Sequence, residues 1–196
     1  MSDWIEEIGT AWNGHRVFAE WLISIIKPKT VVDLGVDYGY STFVFANSMI
    51  VNNINGNVYG VDLFEGDMHT GFRNTYNEVI KKKEKYNLSL LEIIKMDFTD
   101  LSKDWYIPID LLHIDGLHTY NAIKNDFNCW NNKVSENGII LFHDVTSFPD
   151  DVGKYFFEIQ GWRKLYFTHS AGLGVLTKNN ELYEKILRTF SNSIQA

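Results

Sequence analysis

Five short apolar runs in this chain each end in an aspartate. They close at Asp33 (TVVD), Asp62 (VYGVD), Asp97 (LEIIKMD), Asp115 (IPIDLLHID) and Asp144 (GIILFHD). Runs this short, apolar on both faces and rich in Val, Ile and Leu, read as buried strands. Stretches of helical periodicity separate them, at 15–26, from 41 onward, at 74–86 and at 121–130. Strands alternating with helices predict a parallel sheet covered on both faces. The ligand crevice of such a sheet lies at the C-terminal ends of its strands, where the acids fall. Aspartate is a common turn former, so one or two at strand ends would mean little. Five on one rim, beside a glycine turn, point to a site.

The glycine turn lies in residues 30–46, TVVDLGVDYGYSTFVFA. A strand holding Val31 and Val32 runs into a turn with Gly35 and Gly39, and a helix starts near Ser41. Glycine lets backbone approach a ligand, and the helix start offers unpaired N–H groups. The spacing is Asp-x-Gly-x-x-x-Gly-x-Ser rather than GxGxxG, and Asp37 would suit a pyrophosphate poorly. Asp33 can instead accept from a ligand ammonium. Asp62 lies 23 residues past Gly39, a separation at which a strand-end acid binds ribose hydroxyls.

Composition narrows the functional classes. The net charge is −7, and no basic stripe interleaved with aromatics appears, which argues against extended nucleic-acid binding. Lys81–Lys83 reads as a solvated helix face. Cys129 is the single cysteine, so neither an internal disulfide nor a cysteine zinc site is expected, and it is placed in the core. No signal peptide or membrane span is read, so the expectation is a soluble, cytoplasmic protein.

The domain reading is an N-terminal helical segment over 1–29 and a domain over 30–196, one globular unit overall. Residues 3–12 read as a helix or arm with Trp4, Ile5, Ile8 and Trp12 near one face, capped by Ser2-Asp3. Pro28 ends the helix over 15–26. Segment 64–72 reads as a polar loop with Asp67 and His69. Segments 162–168 and 174–177 read as a closing strand pair, followed by a helix over 180–190. The fold expected is a Rossmann-like, seven-stranded, mostly parallel sheet with helices on both faces and an antiparallel C-terminal pair.

Chemistry concentrates after the fourth and fifth strands. Asp115-Gly-Leu-His118 sets an imidazole three residues beyond a strand-end acid. His143-Asp144 sets another such pair on the neighbouring rim. Together they are able to hold a divalent cation, with oxygen-rich ligation favouring Mg²⁺ or Mn²⁺. His143 and Asp144 are adjacent, so both can ligate only if the chain bends there. His113 reads as buried and structural. His169, before a Gly-rich turn, reads either way. Most tryptophans read as core, with Trp105 unassigned.

These segments resemble a known family. The first motif resembles that of the class I S-adenosylmethionine-dependent methyltransferases. The segments YGVDLFEGDMHTGF, IDLLHIDGLHTYNAIKNDF, GIILFHDV and HSAGLGVL resemble its small branch associated with bacterial glycosyltransferases, similar in turn to Mg²⁺-dependent sugar O-methyltransferases. The resemblance implies that Asp33, Gly35, Gly39 and Ser41 cradle the methionine end of S-adenosyl-L-methionine. It implies Asp62 at the ribose, Asp97 and Phe98 at the adenine, and Leu63 and Asp115 also at the cofactor. It implies Asp115, His143 and Asp144 as ligands of Mg²⁺ or Mn²⁺, with Asp115 and His118 catalytic and His118 the base. This chain has His143 where the tailoring enzymes carry an acid, which weakens the charge available to a cation. The implied acceptor is a small molecule or glycan, with room for a glycosyltransferase partner and a homo-oligomer. Three rivals remain: a nicotinamide-dependent reductase, a metal-dependent hydrolase, and a non-catalytic relative that binds cofactor or glycan.

Overall fold

The computed structural model describes residues 8–69 and 71–196. The helix expected at 3–12, with Trp4 and Ile5, therefore lies mostly outside the described residues. The main sheet contains β1 (Thr30–Leu34), β2 (Asn57–Asp62), β5 (Leu91–Lys95), β6 (Ile109–Ile114), β7 (Val134–His143), β8 (Arg163–Phe167), β9 (Leu173–Thr177) and β10 (Ile194–Gln195). Their order is β10-β8-β9-β7-β6-β1-β2-β5. β5, β2, β1, β6 and β7 run parallel, whereas β9 runs antiparallel to both β7 and β8. The chain moves outward from β1 through β2 to β5, then returns to the other side of β1 with β6. That reversal opens a crevice above β1. The expected seven strands become eight, because the two residues of β10 pair with β8. The segment expected as a polar loop forms a small hairpin, β3 (Gly66–Asp67) and β4 (Gly71–Phe72).

The helices are α1 (Arg16–Ile26), α2 (Tyr40–Val51), α3 (Tyr76–Lys85), α4 (Phe98–Lys103), α5 (Tyr120–Trp130), α6 (Lys154–Glu158) and α7 (Asn180–Thr189). Lys27 ends α1 in the left-handed conformation, with Pro28 next. α2 is buried on nearly every side, since α1 packs over it and the sheet lies beneath. α4, missed in the sequence, is a short helix whose N-cap is Asp97. None of the helices among the described residues is long and apolar enough to cross a membrane.

Two cores sandwich the sheet. Phe18, Leu22, Phe43, Val79 and Ile186 pack on one face, and Trp105, Ile123, Phe127, Trp130 and Phe156 on the other. Trp105 is thus a core residue, while Cys129 is only half-buried at the edge of the second core. Strand alternation assigns each side chain to a face. Val31 joins the α1/α2 core while Val32 and Leu34 join the other. Asp33 has the parity of Val31, so its side chain enters the α1/α2 face beneath the rim.

Candidate functional site

A cavity of 540 Å³ opens over the C-terminal ends of β1, β2, β5, β6 and β7. Of the expected site residues, Gly35, Ser41, Asp62, Leu63, Asp97, Phe98, Asp115, His118, His143 and Asp144 line it. Asp33 and Gly39 do not.

Asp33 is fully buried and its carboxylate is taken up by protein donors. Ser41 Oγ donates at 2.7 Å, Thr42 Oγ1 at 2.5 Å and His113 Nδ1 at 2.6 Å. The place expected for it, against a ligand ammonium, is therefore corrected to a structural one. It ties α2 to β6 below the cavity floor, and His113 is the buried structural residue expected. Ser41 reaches the cavity wall, but its hydroxyl proton points at Asp33. The carboxylate that faces the cavity from this turn is Asp37, at positive φ and ion-paired with Arg73 at 2.7 Å. In the sequence Asp37 only argued against a pyrophosphate, and Arg73 becomes its partner when the β3–β4 hairpin folds back.

The turn itself requires both glycines. Gly35 has φ 103°, and a Cβ there would run into the carbonyl oxygen of Asp115. The missing side chain lets the β1 turn pass against the β6 loop. Gly39 has φ 93° and starts α2 under the Phe43 ring.

Asp62 is the keystone of the same turn. Its Oδ2 accepts from the backbone N–H of Val36 and of Asp37, each at 2.9 Å, and its Oδ1 accepts from Phe64 at 2.7 Å. A carboxylate offers about four acceptor positions, so one remains toward the cavity. Leu63 beside it leaves 43% of its surface exposed, an apolar wall without cover.

At the cavity floor Asp115, His118, His143 and Asp144 converge. Asp144 stands at φ 65°, the bend that the adjacent His143 and Asp144 need if both are to face inward. Asp144 Oδ2 lies 2.9 Å from His118 Nε2 and 2.9 Å from His143 Nδ1. Asp115 Oδ1 lies 3.6 Å from His118 Nε2 and 3.4 Å from His143 Nδ1. Burial alone would discharge both imidazoles, but the two carboxylates outweigh it and raise His118 to about 9 and His143 to about 10. Burial likewise works against the charged carboxylates, yet the imidazoles hold Asp115 and Asp144 below the usual range.

The two histidines differ in what their nitrogens meet. His143 Nδ1 faces Asp144, and its Nε2 donates to the Ser170 carbonyl at 3.1 Å. Both nitrogens of His143 face acceptors, and the side chains that gather as a possible cation site are Asp115, His118 and Asp144. Each ring nitrogen of His118 is buried without a hydrogen bond of acceptable geometry, despite the short distance from Nε2 to Asp144. Its ring lies flat on Phe148, centroids 4.6 Å apart. One ligand atom each from Asp115, His118 and Asp144 falls within 4.8 Å of the others. Two carboxylates and an unsatisfied imidazole nitrogen fit a divalent cation of the Mg²⁺ or Mn²⁺ kind.

Two walls were not legible in the sequence. Ile8–Trp12 form one, held where the Trp12 indole N–H donates to His113 Nε2 at 3.1 Å. Asn125 and Asp126 of α5 form part of another.

A parallel sheet with an inserted antiparallel strand, a reversal over β1 and an acid-lined rim cavity define the class I methyltransferase fold. The chain belongs to the methyltransferase-domain family, whose model matches residues 32–145. It is 33% identical over 181 residues to the uncharacterized protein y4gI of Sinorhizobium fredii, covering 89% of this chain and 20% of that protein. The chain thus spans about a fifth of the length of that curated relative. Its fold is shared with the S-adenosylhomocysteine-bound methyltransferase PaMTH1 of Podospora anserina, at TM-score 0.69, 13% identity and coverage of 92% and 89% of the two chains. It is shared also with the O-methyltransferase TomG of Streptomyces achromogenes, solved with S-adenosylmethionine, at TM-score 0.63, 11% identity and 90% of each chain. A third is the S-adenosylhomocysteine complex of a Bacillus cereus O-methyltransferase, at TM-score 0.62, 14% identity and 84% and 81% coverage.

Proposed function

We propose that this chain is an O-methyltransferase that uses S-adenosylmethionine to methylate a hydroxyl of a sugar, glycan or glycosylated small molecule, with a divalent cation held by Asp115 and Asp144 beside His118. The observation that carries the reading is the meeting of those three side chains on the floor of a cavity that belongs to a methyltransferase fold. When bound, the cofactor supplies an electrophilic sulfonium methyl, leaving the protein to align the acceptor and remove its proton. Asp62 offers its remaining acceptor position to the ribose, Leu63 covers the base, and Asp97 and Phe98 edge it. Asp37 takes the place at the ammonium that Asp33 cannot fill.

A hydroxyl is a poor nucleophile until a base or a cation takes charge of its proton. With the carboxylates uncompensated, His118 is protonated at neutral pH and has no free lone pair. Asp115 and Asp144 would hold the cation, whose charge would offset the carboxylate field that keeps that proton on His118. His118 is then the base. Its unsatisfied Nε2 favours a second arrangement, in which it completes the coordination. Cation affinity of His118→Ala separates the two: unchanged for a base, lowered for a ligand.

The sugar class rests on the sequence resemblance alone. Calorimetry with S-adenosylmethionine and S-adenosylhomocysteine tests the cofactor, and no binding of either at millimolar levels would end the proposal. Methyl transfer to a candidate glycan tests the acceptor.

A further inference from the structure

α4 and α5 are cross-tied at the cavity. Asn125 Nδ2 donates to Thr99 Oγ1 at 2.8 Å, and the Trp130 indole N–H donates to the Phe98 carbonyl at 3.1 Å. These ties hold Asp126, on α5, beside Asp97, the N-cap of α4. Asp126 leaves only 6% of its surface exposed and lines the cavity. Its Oδ2 sits where residue 116 has no side chain: a Cβ on Gly116 would stand 3.0 Å from it. Among the described residues no ion pair reaches Asp126, and its charged neighbour is the carboxylate of Asp97. Enclosure disfavours the charged carboxylate; burial first, then Asp97, against a bond from Asn125, raises Asp126 to about 7. Asp97 is placed differently. Its Oδ1 accepts from Thr99 at 2.8 Å and Asp100 at 3.2 Å, which leaves Oδ2 as an acceptor.

We propose that Asp126 and Asp97 read the purine base of the cofactor as a pair, Asp126 donating its O–H to a ring nitrogen and Asp97 accepting from the exocyclic amine. The proposal rests on the cofactor reading above and adds a specificity-determining residue to it. Adenine presents an amine donor beside ring-nitrogen acceptors, and hypoxanthine presents the reverse at the same edge. A buried donor–acceptor pair rejects the reversed pattern, because each mismatch leaves a polar group unpaired.

The test is calorimetry of the metal-free protein with S-adenosylhomocysteine and S-inosylhomocysteine at pH 6 and pH 8. Other titratable groups near this wall are Asp97 on α4 and Asp115 and His118 on the loop carrying Gly116. Wild type should bind S-adenosylhomocysteine about three- to tenfold more tightly at pH 6, where Asp126 still has a proton to donate. Asp126→Asn carries an N–H donor at both pH values and should bind equally at each. Asp126→Ala should bind about tenfold more weakly than wild type at pH 6. The inosyl compound should bind wild type at least about tenfold more weakly than the adenosyl one. Wild-type-like binding by a folded Asp126→Ala, or equal affinity for the two compounds, overturns the inference and leaves the cofactor reading standing. Failure of wild type to bind either compound overturns both.

Discussion

Asp33 on β1 and His113 on β6 face each other in register and share a 2.6 Å hydrogen bond, with neither side chain exposed to solvent. The carboxylate that the family resemblance assigns to the ligand is instead the anchor of a buried network. Asp33→Asn keeps the volume but turns an amide toward three donors. We expect a loss of roughly 2–3 kcal/mol, about 5–10 °C in melting temperature for a chain of this size. Affinity for S-adenosylhomocysteine in the folded variant should stay within about threefold. A large loss of affinity with unchanged melting would return Asp33 to the ligand.

The network continues to Trp12. His113 gives its Nδ1 proton to Asp33 and accepts the Trp12 indole proton on Nε2. Trp12→Phe removes that donor and leaves a buried lone pair, at a cost of about 1–3 kcal/mol. The wall at Ile8–Trp12 loses its tie, and binding must then order it. Affinity for S-adenosylhomocysteine should fall by about threefold or more. Calorimetry alongside thermal melting checks both effects.

His118 couples cation binding to a proton. Because its pKa stands at about 9, Mg²⁺ or Mn²⁺ uptake near pH 7.5 should release a proton. Calorimetric titrations in buffers of different ionisation enthalpy measure that release, and His118→Ala should lower it. The same variant should keep nearly full cofactor affinity and lose at least about 100-fold in turnover. Unchanged turnover would remove His118 from the mechanism.

His15 sets an acid limit on stability. It is buried, with Nε2 donating to the Ser170 carbonyl at 2.9 Å, and burial, then the His143 charge, lowers its pKa to about 3. Between about 3 and 6.5 the unfolded chain binds the proton and the folded chain does not, so stability falls as the pH falls. The expected loss from this group is about 2 kcal/mol between pH 7 and pH 5. His15→Phe should flatten the curve in that window, measured by urea unfolding at each pH.

The sequence by itself determined the layered sheet, its strand-end rim and most of the residues around the cavity. Val/Ile/Leu runs and helical periodicity are local signals, and they specify elements wherever burial follows pattern. Asp62, Asp97, Asp115, His118 and Asp144 stand on the cavity wall because each sits at or just past a strand end. Only the tertiary structure decided which carboxylates are free. Asp33 has the same local pattern as the others, but its parity on β1 aims it at Ser41, Thr42 and His113. His143 reads like a ligand in the sequence, and only the hairpin between β8 and β9 brings the Ser170 carbonyl against its far nitrogen. Asp126 reads as one polar helix position until α4 and Gly116 enclose it. An acid's role depends on which donors and charges packing brings within a few ångströms, and those come from distant parts of the chain.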